Sequence, residues 1–280
     1  MPLLRQKIVL DTQIVSDVCA GAICAADWNA VLGYISTKCR YEISANTLYE
    51  LLAAIATGDA NHFHTNQRRI RVLYQPAGRE FLPTVGDFVR SKVFGLPARR
   101  PDFRPHKLQR WADVVLAATS KSSLHRGVVL HRAGQSRKTY GFDLQLLAKQ
   151  IEDGKKSHAR RLEELRQGNL SPSTTDTWTR AVLRLMDVPA TAANQTKLLT
   201  ALDAACHYDV SLYGMAKNRN YDFSRHDSDW IDSQQLYYLA DSSVRIVTRD
   251  ANIRFLTMSS TQRDRILSFD DLKILAINSV

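Results

Sequence analysis

Two short apolar runs, each followed by a segment of helical period, set the tightest limit on what this chain can become. Ile8, Val9 and Leu10 form the first and end on Asp11. "DWNAVLGYIST" (27–37) follows as a helix begun by Asp27, whose carboxylate can accept from the first free amides. "YEIS" (41–44) is the second run, and "SANTLYELLAAIAT" after it places Leu48, Leu51, Leu52 and Ile55 at helical spacing. Ser44, Asn46 and Thr47 stand ready to cap that helix. Strand, helix, strand, helix within the first 57 residues predicts an α/β fold with parallel strands.

The last third returns to this style. "QTKLLTALDAACHYDVSLYGMAKN" reads as mostly helical, and "DSDWIDSQQLYYLA" as a helix start. The strand "RIVT" then runs into Arg249-Asp250, "ILSF" is one more short strand, and "DDLKIL" closes the chain. The middle differs. Residues 61–170 carry 22 Lys and Arg against 9 Asp and Glu, so with a total charge of +10 the rest of the chain nets −3. "FDLQLLAKQIEDGKKSHARRLEELRQ" reads as a long amphipathic helix with Leu144, Leu147, Ile151, Leu162 and Leu165 as its apolar set. "REFLPTVGDFVRSKVFGL" is a further helical piece, "PARRPDFRPHKLQRW" an extended loop, and "GNLSPSTTDT" a linker. The expected plan is a core split in sequence, 1–60 and 200–280, around a basic and mainly helical insertion at 61–199.

Several classes fall away. No stretch approaches the roughly 20 apolar residues of a membrane span, and the N-terminus has no secretory pattern. Cys19, Cys24, Cys39 and Cys206 show no C-x-x-C spacing, as expected of reduced thiols in a cytoplasmic protein. There is no Gly-rich phosphate loop with Lys-Ser/Thr and no Gly-x-Ser-x-Gly, and "LDTQ" lacks the second Asp of a haloacid-dehalogenase-type phosphatase. "HFH" (62–64) has no third ligand for zinc.

Four acids share one kind of address. Asp11 follows the first strand, Glu50 lies in the early turns of a helix after a strand, Asp232 opens a helix, and Asp250 follows "RIVT". In an open α/β sheet, sites form beyond the carboxyl ends of the strands. Carboxylates gathered there repel one another unless a cation joins them, and all-oxygen ligation suits Mg²⁺ or Mn²⁺. Such ions activate water and stabilise displacement at phosphorus, often as a pair about 3.5–4 Å apart. Each acid also has a plainer reading, as a cap, a turn residue or an exposed helix acid.

"IVLDTQIV", "ISANTLYELL", "DSQQLYYLA" and "RIVTRD", in this order, resemble the PIN-domain ribonucleases. The resemblance covers residues 5–60 and 225–275. It implies a PIN-like three-layer α/β core, with a central mostly parallel sheet flanked by helices, plus the helical insertion. It implies an Mg²⁺- or Mn²⁺-dependent endoribonuclease, in which Asp11, Glu50, Asp232 and Asp250 are the acidic quartet. Asp229 would add a ligand or an outer contact, and Thr12 and Thr248 would orient carboxylates or a metal-bound water. Gln13 departs from the family's usual Asn, and 182 positions separate Glu50 from Asp232, far more than in the compact toxin members.

The insertion carries the expected nucleic-acid contacts: Arg68, Arg69, Arg71, Arg99, Arg100, Arg104, Lys107 and Arg110, with Phe103 and Trp111 among them for stacking. Trp111 equally begins an apolar helix, "WADVVLAATS", as a core residue. RNA, single-stranded or structured, is the expected partner, with room for a regulatory protein and for a homo-oligomer. The rival readings are a non-catalytic RNA-binding or scaffold protein, the toxin of a toxin–antitoxin pair, and a DNA nuclease.

Overall fold

The computed structural model describes residues 5–99, 105–124, 144–168, 174–217 and 229–279. It is an α/β structure around one five-stranded sheet of order β3-β2-β1-β4-β5, with every neighbouring pair parallel. In chain order these strands are β1 (Lys7–Leu10), β2 (Arg40–Ile43), β3 (Glu80–Phe81), β4 (Val244–Val247) and β5 (Ile266–Leu267). Strand β1 is the middle strand. It pairs Lys7 with both Arg40 and Val244, and Leu10 with Val247.

A parallel sheet is covered on both faces, so its central strands are apolar throughout rather than alternating. That explains "KIVL". Ile8 and Leu10 face one core, with α1 (Thr12–Ala20), α2 (Ala25–Lys38), α3 (Ala45–Thr57) and α4 (Ala60–Leu73). Val9 and Ile246 face the other, with α5 (Val85–Phe94), α8 (Thr175–Leu185), α9 (Ala192–Ala201) and α10 (Asp203–Lys217). The remaining helices are α6 (Pro105–Ala117), α7 (Leu144–Arg166), α11 (Asp229–Gln235), α12 (Ala251–Leu256) and α13 (Phe269–Ile277). No described helix is long and apolar enough to cross a membrane.

The amino end of the sheet is tied by charge. Lys7 Nζ lies 3.0 Å from Glu42 and 2.9 Å from Asp241, and Lys92 lies 3.1 Å from Asp241. Burial works against the Asp241 carboxylate, but hydrogen bonds from Ser243, Lys7 and Lys92 hold its pKa well below the usual range. Lys7 at the start of β1 is thereby tied to Glu42 within β2 and to Asp241 just before β4, and the loops at the opposite end are left to make a site.

Three sequence expectations need correction. The boundary at 60/61 is not a structural one: β3 extends the sheet beside β2, and α4 packs on α1 and α3. Phe63 and Ile70 of α4 and Phe88 of α5 are core residues, so the basic stretch is threaded through the core. The segment read as an extended loop to Trp111 becomes helical at Pro105, because proline is tolerated at the first helical position, where its missing N–H costs nothing. Helix α2 begins earlier than its acid: Cys24 is the N-cap, and Asp27 instead pairs with Lys273 at 3.1 Å.

One side chain bridges the halves of the core. The buried Tyr238 hydroxyl donates to the Pro83 carbonyl at 2.8 Å and accepts from the Ala45 N–H at 3.2 Å. Tyr238→Phe strands a buried donor and a buried acceptor, a loss of about 1–3 kcal/mol. Urea unfolding should show a lower midpoint with an unchanged slope, and an unchanged midpoint would refute the bridge.

Candidate metal centre at the carboxyl end of the sheet

Asp11 is the residue after β1 and the N-cap of α1. It is 5% exposed, and both of its oxygens are engaged: Oδ1 accepts from Thr12 N–H at 2.7 Å, and Oδ2 accepts from the Thr248 hydroxyl at 2.8 Å. Thr248 follows β4, and its oxygen also accepts from Asp250 N–H at 2.9 Å. Asp250 in turn caps α12, accepting from Asn252 N–H at 2.6 Å. The Thr-x-Asp spacing therefore lets one hydroxyl hold Asp11 while its own residue sets the turn that places Asp250.

Ser44, Thr47 and Glu50 sit three residues apart, along one side of the first turns of α3. Ser44 caps the helix by accepting from Thr47 N–H at 3.0 Å. The Thr47 hydroxyl reaches the Leu10 carbonyl at 3.3 Å and accepts from Gln235 Nε2 at 2.7 Å, which fixes α11 against the ends of β1 and α3. Glu50, one turn on, accepts from the Thr12 hydroxyl at 2.7 Å. Helix α11 brings Asp229 and Asp232 on its first turn; Asp229, not Asp232, is its first residue. Gln13, the departure noted above, is exposed.

Three of the five acids are raised. Burial pushes Asp11 up to about 7, and the charges of Glu50 and Asp250 add to that against the bonds from Thr248 and Thr12. Asp232 is raised well above the usual carboxylate range, by burial first and then by Asp11, Glu50, Asp250 and Asp229. Asp229, 2% exposed, is raised to about 7 by burial and then by Asp250. Among the described residues, no three His, Cys, Asp or Glu side chains form a ready metal-ligand set. In donor chemistry and charge the group does suit a hard divalent cation: every donor is an oxygen, and mutual repulsion is what a cation would relieve. The fit is one of donor type and charge; the described side chains are not arranged as a ligand set.

Arg68 and Arg71 are exposed on α4, and Arg69 is half-buried. Arg69 bonds Asn66 and Arg71 bonds Gln67 along their own helix. Arg68 and Arg69 act on the Cys19 thiol, near the end of α1 remote from Asp11. Arg110 is exposed on α6, and Trp111 packs half-buried against the core, its ring 6.4 Å from Tyr49. Arg100, Phe103 and Arg104, and the side chain of Lys107, lie outside the described residues. Among the described residues of the predicted set, Arg99 lines the cleft of about 670 Å³ that adjoins the acids through Glu50. Asn46, Gln234, Arg90, Arg161 and Asp209 line it too; Asn46 was read only as a helix cap, and Arg90, Arg161 and Asp209 had no sequence signal.

No protein-family model matches this chain, and neither the curated proteins nor the solved structures contain a match to it.

Raised carboxylates make stability fall with pH. Between the ordinary value of 3.8 and the folded value of about 7, folded Asp11 keeps a proton that the unfolded chain has released. Stability contributed below that window is lost as pH rises through it. Metal-free protein should lose several degrees of Tm between about pH 4 and 7.5, where 1 kcal/mol is about 2–4 °C. Asp11→Asn and Asp232→Asn should flatten that slope and raise Tm at pH 7.5, while Mn²⁺ should stabilise the wild type more than either variant. Parallel slopes in scanning calorimetry would contradict the repulsion described here.

Proposed function

We propose that this chain is a divalent-cation-dependent nuclease that hydrolyses RNA phosphodiester bonds, built on the plan of the PIN-domain ribonucleases. The observation that carries the reading is the burial of Asp11, Asp229 and Asp232 beside one another's carboxylates and those of Glu50 and Asp250, so that burial first, and the neighbouring charges after it, raise the proton affinity of these three. A binding module on this fold gains nothing from such crowding. The four cysteines are all free, which agrees with a reducing, cytoplasmic location.

In this reading Asp11, Glu50, Asp232 and Asp250 would hold Mg²⁺ or Mn²⁺, with Asp229 as a further ligand or outer contact. The bound ion supplies Lewis-acid stabilisation at phosphorus and a water of lowered pKa. The protein's own part is orientation. Thr248 and the Thr12 amide fix the plane of the Asp11 carboxylate, the Thr12 hydroxyl fixes one oxygen of Glu50, and the Gln235–Thr47 bond sets α11 and so Asp232. No protein nucleophile is needed, since water attacks directly.

Labelled single-stranded RNA and DNA should be incubated with wild type, Asp11→Asn and Asp232→Asn in Mn²⁺, Mg²⁺ and EDTA. Expected is RNA cleavage that needs the metal and falls at least about 100-fold in either variant. Cleavage of DNA but not RNA would make it a DNA nuclease. RNA binding by all three proteins with no cleavage by any would favour the scaffold reading.

A further inference from the structure

Large apolar side chains that stay in water gather at one edge of the sheet. Among the described residues five are strongly exposed, and four of these flank the edge strand β5: Phe255 at 64%, Met258 at 58%, Ile274 at 54% and Ile277 at 58%. Each pair is spaced by three residues, so Phe255 and Met258 share one side of α12 and the turn after it, and Ile274 and Ile277 one side of α13. The opposite sides of these helices are core, with Ile253 and Leu256 on α12 and Phe269, Leu272 and Ala276 on α13. Arg254 of α12 lies 3.8 Å from Asp271 of α13, which joins the two exposed faces across the end of the sheet. Single exposed apolar residues are ordinary, whereas a contiguous patch rimmed by polar residues marks an interaction surface.

Between the helices runs a groove of about 530 Å³, with Phe255 and Met258 on one side, Asp271 on the other, and Ile266 and Leu267 of β5 beneath. Its charged residues are Arg254, Arg263, Asp264 and Asp271, two of each sign. On a chain of net charge +10, the groove is a place where charge balances. Arg263 lies 3.5 Å from its sequence neighbour Asp264, and both side chains stand out in solvent. Loose, exposed pairs of this kind contribute little within a chain, so re-pairing across an interface costs little. The strand is not the adhesive element, since β5 has two residues and is too short to template a further strand. Helix α12 is capped by Asp250 and α13 by Ser268, and the exposed apolar residues lie in or after the last turns, away from those caps. The groove shares no residue with the acids or with the cleft beside them.

We infer that this face is where two copies of the chain associate, as a two-fold dimer built on α12 and α13. A two-fold interface applies one patch to itself, so it needs both signs of charge in the same place as its apolar surface. The groove supplies them: Arg254 and Arg263 of one copy have Asp264 and Asp271 of the other as partners, and the apolar residues of the two helices are covered between them. A polyanion would meet two aspartates here, and an acidic protein would be served better by a surface of unbalanced positive charge. A second copy brings the same balanced set. The dimer rests on no catalytic reading, and it leaves Asp11, Glu50, Asp232 and Asp250 outside the contact in both copies.

Sedimentation velocity of the full chain, from about 1 to 100 μM, reads the association directly. The expected result is a monomer–dimer equilibrium with a micromolar Kd. Phe255→Glu and Ile274→Glu, both at exposed positions, should each weaken it at least about tenfold while leaving the Tm within about 2 °C of wild type. Charge is tested by a matched pair of variants, Arg263→Asp, which makes the groove acidic, and Asp264→Arg, which makes it basic. Each alone should be monomeric, and an equimolar mixture of the two should dimerise. A wild type that is monomeric at every concentration would overturn the inference and leave the face to a different partner. A dimer untouched by Phe255→Glu and Ile274→Glu would overturn it too, because the contact would then lie elsewhere. Charge variants that each dimerise as tightly as wild type, or a mixture that stays monomeric, would do the same, because the patch would not be self-complementary in charge.

Discussion

The candidate site depends on β1 lying in the middle of the sheet. A strand paired in parallel on both sides, with both faces covered, has almost no freedom at its carboxyl end. Val9 is 0% exposed and Ile8 and Leu10 are each 1% exposed, so the position of the next residue is inherited from the core. Asp11 is that residue. Its neighbours are those that follow the flanking strands: Ser44, Thr47 and Glu50 after β2, and Thr248 and Asp250 after β4. Parallel pairing puts all three strand ends on one side, so residues more than 200 positions apart in sequence meet through single hydroxyl bonds.

The two ends of the sheet handle buried acid in opposite ways. At the amino end, Asp241 is met by Lys7 and Lys92 and is held ionised. At the carboxyl end, the charges that act on Asp11 and Asp232 are chiefly those of other carboxylates, and protons are held instead. A chain able to place lysines at one end and not at the other is keeping the second end negative. Crowded acids cost stability wherever they are ionised, and such a cost is expected where electrostatics serve chemistry. The hydroxyls of Thr12 and Thr248 are well matched to this task, because they orient a carboxylate without neutralising it.

The addresses of the acids can be read from local pattern because each is set by something local. Asp11 and Asp250 follow short apolar strands, and Glu50 stands two helical turns after a Ser cap. Thr47 is legible as a capping residue, yet its bonds to Leu10 and Gln235 are tertiary and have no signature in sequence. Charge density misleads for a similar reason. Arg68, Arg69 and Arg71 look like an anion-binding run, but an α-helix spreads neighbouring positions around its axis, and two of them bond along α4 itself. Asp209 and His158 are single polar residues on amphipathic helices, indistinguishable in sequence from solvated ones until α7, α8 and α10 choose their partners. Fold class follows from strand and helix periods, whereas the cleft follows from how helices dock, which those periods do not encode.

Helix α11 joins the two regions. Asp229 and Asp232 lie one turn apart on a side shared with Gln235, which bonds Thr47 beside the strand ends. Ser233, about 100° further round the helix, lines the cleft and bonds Asp209 there. A rigid element of seven residues cannot move one of these faces without the other. Whatever displaces Asp232 therefore also displaces Ser233 and its bond to Asp209. The spacing of these residues on one short helix is what ties the acids at the sheet end to Asp209.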